Sequence, residues 1–283
     1  MENLIGKSQN WTREKYKELL KIIGEGNAKK LLSGELSIEF KEIIRKLSGS
    51  DFKLTQPNMN TIEDYARILN ILANALNINV LDIGITAEEF KSKTEEILDM
   101  IPNDTASIKD RTWFSLVLPK FEGDDIGAFL EKLLDGVNNS CKMIFGDKYN
   151  FFNYQKGNLI NQVKSVCKTQ DELIEKMKEG PVVVVFFPNT LQGFSIMAAR
   201  GQISFLSKGF VQSGIETIVA MIEYVDILAK NYETPGLFLS AFSWKSEKYS
   251  LSFKAFSNEL YFVSTEALFE ENDCFSPGLS FFI

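Results

Sequence analysis

Apolar residues recur along this chain with two different periods, and the change from one to the other divides it. From Thr12 to Ile23, the residues Tyr16, Leu19, Leu20 and Ile23 fall three and four positions apart before Gly24, which is one helix face followed by a stop. Phe40, Ile43, Ile44 and Leu47 repeat that spacing up to Gly49, although the alternation of Leu36, Ile38 and Phe40 also allows a short extended start. After Pro57 a third stripe runs through Ile62, Tyr65, Ile68, Leu69, Leu72 and Leu76, with Asn60 as its cap and Glu63 three residues later. Thr86 and Glu89 read as a capping box ahead of Phe90, Ile97, Leu98 and Ile101, and Pro102 ends that helix. Helices with a single apolar stripe must bury it against one another, so residues 1–105 are expected to form a helical domain. A helix-turn-helix reading of Tyr16 to Leu47 fits poorly, because Glu35, Glu39 and Glu42 interrupt Lys29, Lys30, Arg45 and Lys46 and leave a mixed face.

Beyond the polar stretch Asn103 to Ser107 the period shortens. Thr112 to Leu118 is rich in β-formers and closes at Pro119. Ile126 to Val137 has helical spacing, with Asp124 and Asp125 placed to cap it, and no loop signature makes Glu122, Asp124 and Asp125 a metal site. Leu173, Ile174 and Met177 mark a short helix that stops at Gly180. The unbroken run Val182 to Phe187 then predicts a central strand covered on both faces. Between Gly209 and Lys230, Val211, Ile215, Ile218, Val219, Ile222, Val225 and Leu228 share one helix face, which leaves Glu216, Glu223 and Asp226 pointing to water. Leu237 to Trp244, Tyr249 to Phe256, Leu260 to Ser264 and Leu279 to Ile283 read as strands joined by polar turns. The expected fold class is α+β: a helical N-terminal part, then a mixed or antiparallel sheet with packed helices. Residues 106–283 form the α+β domain, which ends in an antiparallel β-meander.

Composition narrows the chemistry more than it names it. The 283 residues contain no histidine, so the commonest general base and a leading metal ligand are missing. Cysteines stand at 141, 167 and 274 without C-x-x-C spacing, which indicates neither a disulfide framework nor a thiolate zinc site and suits a reducing cytoplasm. No S-x-x-K or G-x-S-x-G occurs, and Gly209 to Gly214 is not followed by the Lys-Ser or Lys-Thr of a P-loop. No catalytic residue, cofactor or metal is therefore assigned. A net charge of −7 disfavours nucleic acid and anionic membrane on average. The first residues lack a secretory pattern and no apolar run spans a bilayer, so a soluble cytoplasmic protein without membrane contact is expected.

Three groups of residues stand out as candidate contacts. Asn189, Thr190, Gln192, Arg200, Gln202 and Lys208 follow the valine-rich strand and offer amides, hydroxyls and cations without a carboxylate, which suits a small anionic ligand and gives the alternative reading of an enzyme or sensor. Lys142, Lys148, Tyr149, Phe151, Phe152, Tyr154 and Lys156 interleave rings with cations, the composition of a single-strand nucleic-acid binder and equally of a protein contact. Phe281, Phe282 and Ile283 end the chain without a polar tail, which predicts burial in a sheet or against a second subunit. With 23 phenylalanines and no imidazole, the expected function is non-enzymatic protein contact, with itself or another protein, in a homo-oligomer or larger assembly.

Overall fold

The computed structural model describes residues 52–283 apart from 103–107, 109, 204, 205, 207, 231, 232, 267 and 271. The helices expected between Thr12 and Leu47, and the stretch Asn103 to Ser107, lie outside the described residues. The fold is α+β, with helices and mixed sheets. Among the described residues, α1 (Ile62–Leu76) is capped by Thr61, one position after the expected Asn60, because Asp64 rather than Glu63 reaches back to close the capping box. The box of Thr86 and Glu89 opens α2 (Ala87–Met100) as its spacing predicts. No single described helix is long and apolar enough to cross a membrane.

The strands divide between two main sheets. In the first, β1 (Phe114–Leu118), β4 (Val182–Phe187), β11 (Leu279–Phe281) and β5 (Phe210–Gln212) lie side by side in that order, all antiparallel. The valine-rich run is interior, as its unbroken apolar pattern requires. The C-terminal strand is inserted between β4 and β5, with Ser280 opposite Phe186 on one side and Val211 on the other. In the second sheet the order is β10 (Phe275–Ser276), β6 (Gly236–Phe238), β8 (Ser250–Phe256), β9 (Glu259–Thr265) and β2 (Asn150–Asn153). β6, β8 and β9 form the antiparallel meander; β10 joins β6 and β2 joins β9 in parallel. The run Leu237 to Trp244 breaks after Phe238, and β7 (Phe242–Trp244) leaves to pair with β3 (Val163–Ser165).

Helices fill the space around the first sheet. α3 (Ile126–Phe145), started by Asp125, whose carboxylate accepts from Ala128 N at 2.6 Å, packs on α1 and beside β2. α4 (Lys168–Glu179) runs beside β5, and α5 (Ile196–Gln202) is capped by Ser195. α6 (Ile215–Glu223) sits between the sheet and the pair α1 and α3, and every one of its residues is buried. The single helix expected from Gly209 to Lys230 is thus three elements. Phe210 to Gln212 is strand, α6 follows, and Tyr224, outside helical geometry, separates it from α7 (Val225–Leu228). One apolar core extends from Leu54 through α1 and α2 to Phe282.

Candidate functional site

The surface most unlike an ordinary solvated face is the outer side of the second sheet. β8 and β9 form a hairpin whose turn residue Ser257 takes a positive φ of 57°. Alternation then sends Phe253 and Phe262 inward, ring centroids 4.8 Å apart, with Phe151 of β2 beside them at 6.3 Å. The same alternation sends Phe152, Tyr261 and Lys254 outward in one row, since Phe152 pairs with Tyr261 and Tyr261 with Lys254. Tyr154 follows β2 on this side. Its ring and those of Phe152 and Tyr261 are nearly parallel, with centroid separations of 5.5 Å for Phe152 and Tyr261, 6.1 Å for Tyr154 and Tyr261, and 6.5 Å for Phe152 and Tyr154.

Three rings on this face stand open to solvent, and Tyr261 is half-buried. Tyr154 is 62% exposed, Phe256 45% and Phe152 39%. The other half of the same face is closed: Phe238 and Phe275 stack at 4.8 Å, and Ile196 of α5 and Leu268 pack over them. The face is thus half closed and half open, and the open half is aromatic. Around the rings stand Lys254, whose ammonium is 6.0 Å from the Phe275 ring, and Glu259, which accepts a hydrogen bond from the Tyr261 hydroxyl and holds its pKa up at about 12. Hydroxyl-tipped rings beside one cation and one anion offer stacking, hydrogen bonds and ion pairs.

Of the residues expected to act together between 142 and 156, only Phe152 and Tyr154 belong to this face. Tyr149 is buried, its hydroxyl donating to Ala229 O at 2.8 Å, and Phe151 points into the core side of the sheet. Lys142 and Lys148 are exposed, and Lys156 pairs with Asp135 of α3 at 3.3 Å. Tyr261, Lys254, Phe256 and Glu259 escaped notice in the sequence. Their signal was the alternation of outward positions opposite Phe253 and Phe262, which becomes a patch only once β2 is paired to β9.

Of the residues expected to hold an anion, Asn189, Gln192 and Arg200 hydrogen-bond to backbone. Asn189, Thr190 and Gln192 are buried. Asn189 Nδ2 donates to Phe52 O, and Gln192 accepts from Phe52 N and donates to Asp273 O at 2.8 Å. Arg200 sends Nε to Ser240 O at 2.9 Å and Nη2 to Phe242 O at 3.1 Å, so its fork fastens α5 to the loop before β7. Gln202 is half-buried at the end of α5 and Lys208 is exposed. The three groups do not converge. Phe281 and Phe282 are covered within the chain, Phe281 against Phe210 at 4.8 Å and Phe282 beneath the Lys176 ammonium at 5.0 Å, while Ile283 is exposed.

Of the three acids expected to face water, Asp226 is exposed and the other two are in the interior. Glu216 and Glu223 are buried, not solvent-facing, because α6 has neighbours on every side. Glu223 Oε1 accepts from Val117 N at 3.2 Å and the Tyr224 hydroxyl donates to Ser115 O at 2.8 Å, so the last residue of α6 and the one after it cap the outer edge of β1. Burial pushes the Glu223 carboxyl well above the usual range and that of Glu216 to about 7. Gln170 and Ser280 face the Glu216 carboxyl and offset part of its burial without reaching regular hydrogen-bond geometry.

No group of three or more metal-ligating side chains occurs among the described residues. A cleft of about 600 Å³ lies between Gln56, Asn58, Asn60, Arg111 and Trp113. The Gln56 amide there is committed to the backbone of Trp113 in both directions, at 2.9 and 3.0 Å. Comparison of the chain with protein families, with curated proteins and with solved structures finds no match.

Proposed function

We propose that this chain is a non-enzymatic cytoplasmic protein that works through protein contact, and that its contact surface is the open half of the second sheet. The observation that carries the reading is the group of nearly parallel rings of Phe152, Tyr154 and Tyr261, the first two exposed and Tyr261 half-buried, beside exposed Phe256 on a face whose other half is closed by α5 and Leu268. Aromatic rings with few rotatable bonds lose little entropy on docking and dominate protein interfaces, and a patch left open in water has an unfavourable solvation that a partner relieves. A cytoplasmic home suits the free thiols of Cys141, Cys167 and Cys274. Nucleic acid is a weaker fit, since Glu259 stands among the rings and Asp135 engages Lys156.

A photo-crosslinking residue placed at Tyr154 tests the reading. Irradiation in cells is expected to give a discrete covalent protein adduct that is lost in Phe152→Ser and Tyr261→Ser backgrounds and absent when the probe stands at exposed Glu88 on α2. Adducts to nucleic acid alone, or none, would overturn it.

A further inference from the structure

We infer that the partner this face is built to take is a second copy of the same chain, docked sheet to sheet across a two-fold axis that runs diagonally through Tyr261. The inference rests on the reading of this face as a protein contact and names the partner. The strand registers lay out its outward positions as a grid. In the middle row Tyr261 stands between Phe152 on β2 and Lys254 on β8. One outward step toward the hairpin turn lie Asn150, Glu259 and Phe256, and one step the other way lie Val263 and Ser252, with Tyr154 just past β2, its N–H donating to Phe262 O.

A line from Tyr154 through Tyr261 to Phe256 crosses this grid diagonally. A two-fold axis along that line, in the plane of contact, sets each of these three rings against its own copy. It also exchanges Lys254 with Glu259, so that each ammonium meets the carboxylate of the other copy, and it brings Phe152 against Val263. With strands about 4.8 Å apart and about 6.8 Å between successive outward positions, the diagonal lies about 35° from the strands. The two sheets then cross at about 70°, close to the orthogonal class of sheet packing. An isologous interface needs a patch that is complementary to itself, and most patches are not. This one carries its rings on the diagonal, and its cation and anion at positions that the diagonal exchanges. A partner of unrelated sequence would not require that arrangement.

Sedimentation velocity of the 283-residue chain over a micromolar concentration series tests it. The wild type is expected to dimerise. Lys254→Glu and Glu259→Lys are each expected to weaken the dimer about tenfold by placing like charges in contact, and the double variant K254E/E259K to recover to within about threefold of wild type, since the exchange restores both pairs. Lys254 is exposed and Glu259 half-buried, so far-UV circular dichroism should be the same for all four proteins. In a second measurement, in a Cys274→Ser background, Phe256→Cys lies on the axis and should give a disulfide-linked dimer under mild oxidation, whereas Met143→Cys on α3 should not. A wild type that stays monomeric throughout, or a double variant no better than either single one, overturns the inference. If the wild type is monomeric and the Tyr154 probe still captures a protein that is not this chain, the second copy is excluded and the protein-contact reading stands. If the probe captures no protein, that reading fails with it.

Discussion

Glu216 and Glu223 stand seven positions apart on α6, and neither pairs with a lysine or arginine among the described residues. A carboxyl in that situation holds its proton, because no opposite charge repays the loss of water. In the unfolded chain a glutamate ionises near 4.5, while in the folded chain burial raises Glu216 to about 7 and Glu223 well above that unfolded value of 4.5. Each pKa is raised by folding, so the stability it contributes is fully present below about 4.5 and is lost as pH rises, for Glu216 by about 7. Where the folded state holds one proton more than the unfolded, the slope is about 1.4 kcal/mol per pH unit. Urea midpoints should therefore fall between about pH 5 and about pH 7.5, and Glu216→Gln, which has no proton to lose, should flatten the fall. A wild-type midpoint constant or rising over that range would show that α6 does not carry its carboxyl as described. Glu223 bears a second test. Glu223→Leu removes the acceptor for Val117 N and is expected to destabilise by about 1–3 kcal/mol at about pH 5, while Glu223→Gln keeps the acceptor and should cost less.

Elements meet closely at a few points where one added carbon decides the packing. At the start of α3, a Cβ on Gly127 would lie 1.9 Å from the carbonyl oxygen of Leu159, in a loop that Asp125 already holds through Asn161 N at 2.9 Å. Gly127→Ala is thus expected to lower stability by about 1–3 kcal/mol, whereas Gly201→Ala on α5, with nothing within 4 Å, should raise it by about 0.5–1 kcal/mol. Melting temperatures that move in opposite directions for these two helix glycines would confirm the contact at Leu159. Arg200→Ala should destabilise in the same assay, because Ser240 O loses the Arg200 donor and Phe242 O is left with the Ser250 hydroxyl, and Arg200→Lys should recover little, lacking the planar fork. Such contacts explain what the sequence could and could not show. Local patterns were legible: the valine run of β4, the Thr86 box of α2, the Asp125 cap of α3 and the hairpin of β8 and β9. The helical spacing through Val211 was real but misleading, because Phe210 to Gln212 pairs with β11, a strand almost seventy residues away that no window around it contains. Glu216 and Glu223 were misplaced for a related reason, since a helix packed on every side has no polar face to assign. Phe152 and Tyr154 were legible as rings beside cations, but their neighbours on β8 and β9 enter through a parallel pairing across more than a hundred residues.

For the molecule as a whole, the question is whether the helices before β1 fold as a unit of their own, as the change of period near residue 105 suggests. α1 and α2 bury Tyr65 against Phe90, ring centroids 4.9 Å apart, but that contact continues into the rest of the core. Thr94 of α2 hydrogen-bonds to Ser115 of β1, Asn139 of α3 donates to Ala75 O at 2.8 Å, and Gln56 is bound at both ends to the backbone of Trp113. Polar bonds and apolar contacts both cross the boundary, so the described helices should not melt ahead of the sheets. Trp113 beside β1 and Trp244 on β7 report from separate parts of the fold. In variants retaining only one of them, fluorescence should give a single transition with the same urea midpoint. Two midpoints would show that the surroundings of Trp113, which Gln56 joins to the chain before α1, melt apart from β7. That outcome has a further consequence, because α1 and α3 cover the side of α6 away from the sheet. If α1 left first, water would reach α6 and the Glu216 carboxyl would lose the burial that raises its pKa. The pH dependence of stability would then vanish at the first transition, whereas in one cooperative unit it must persist to the last.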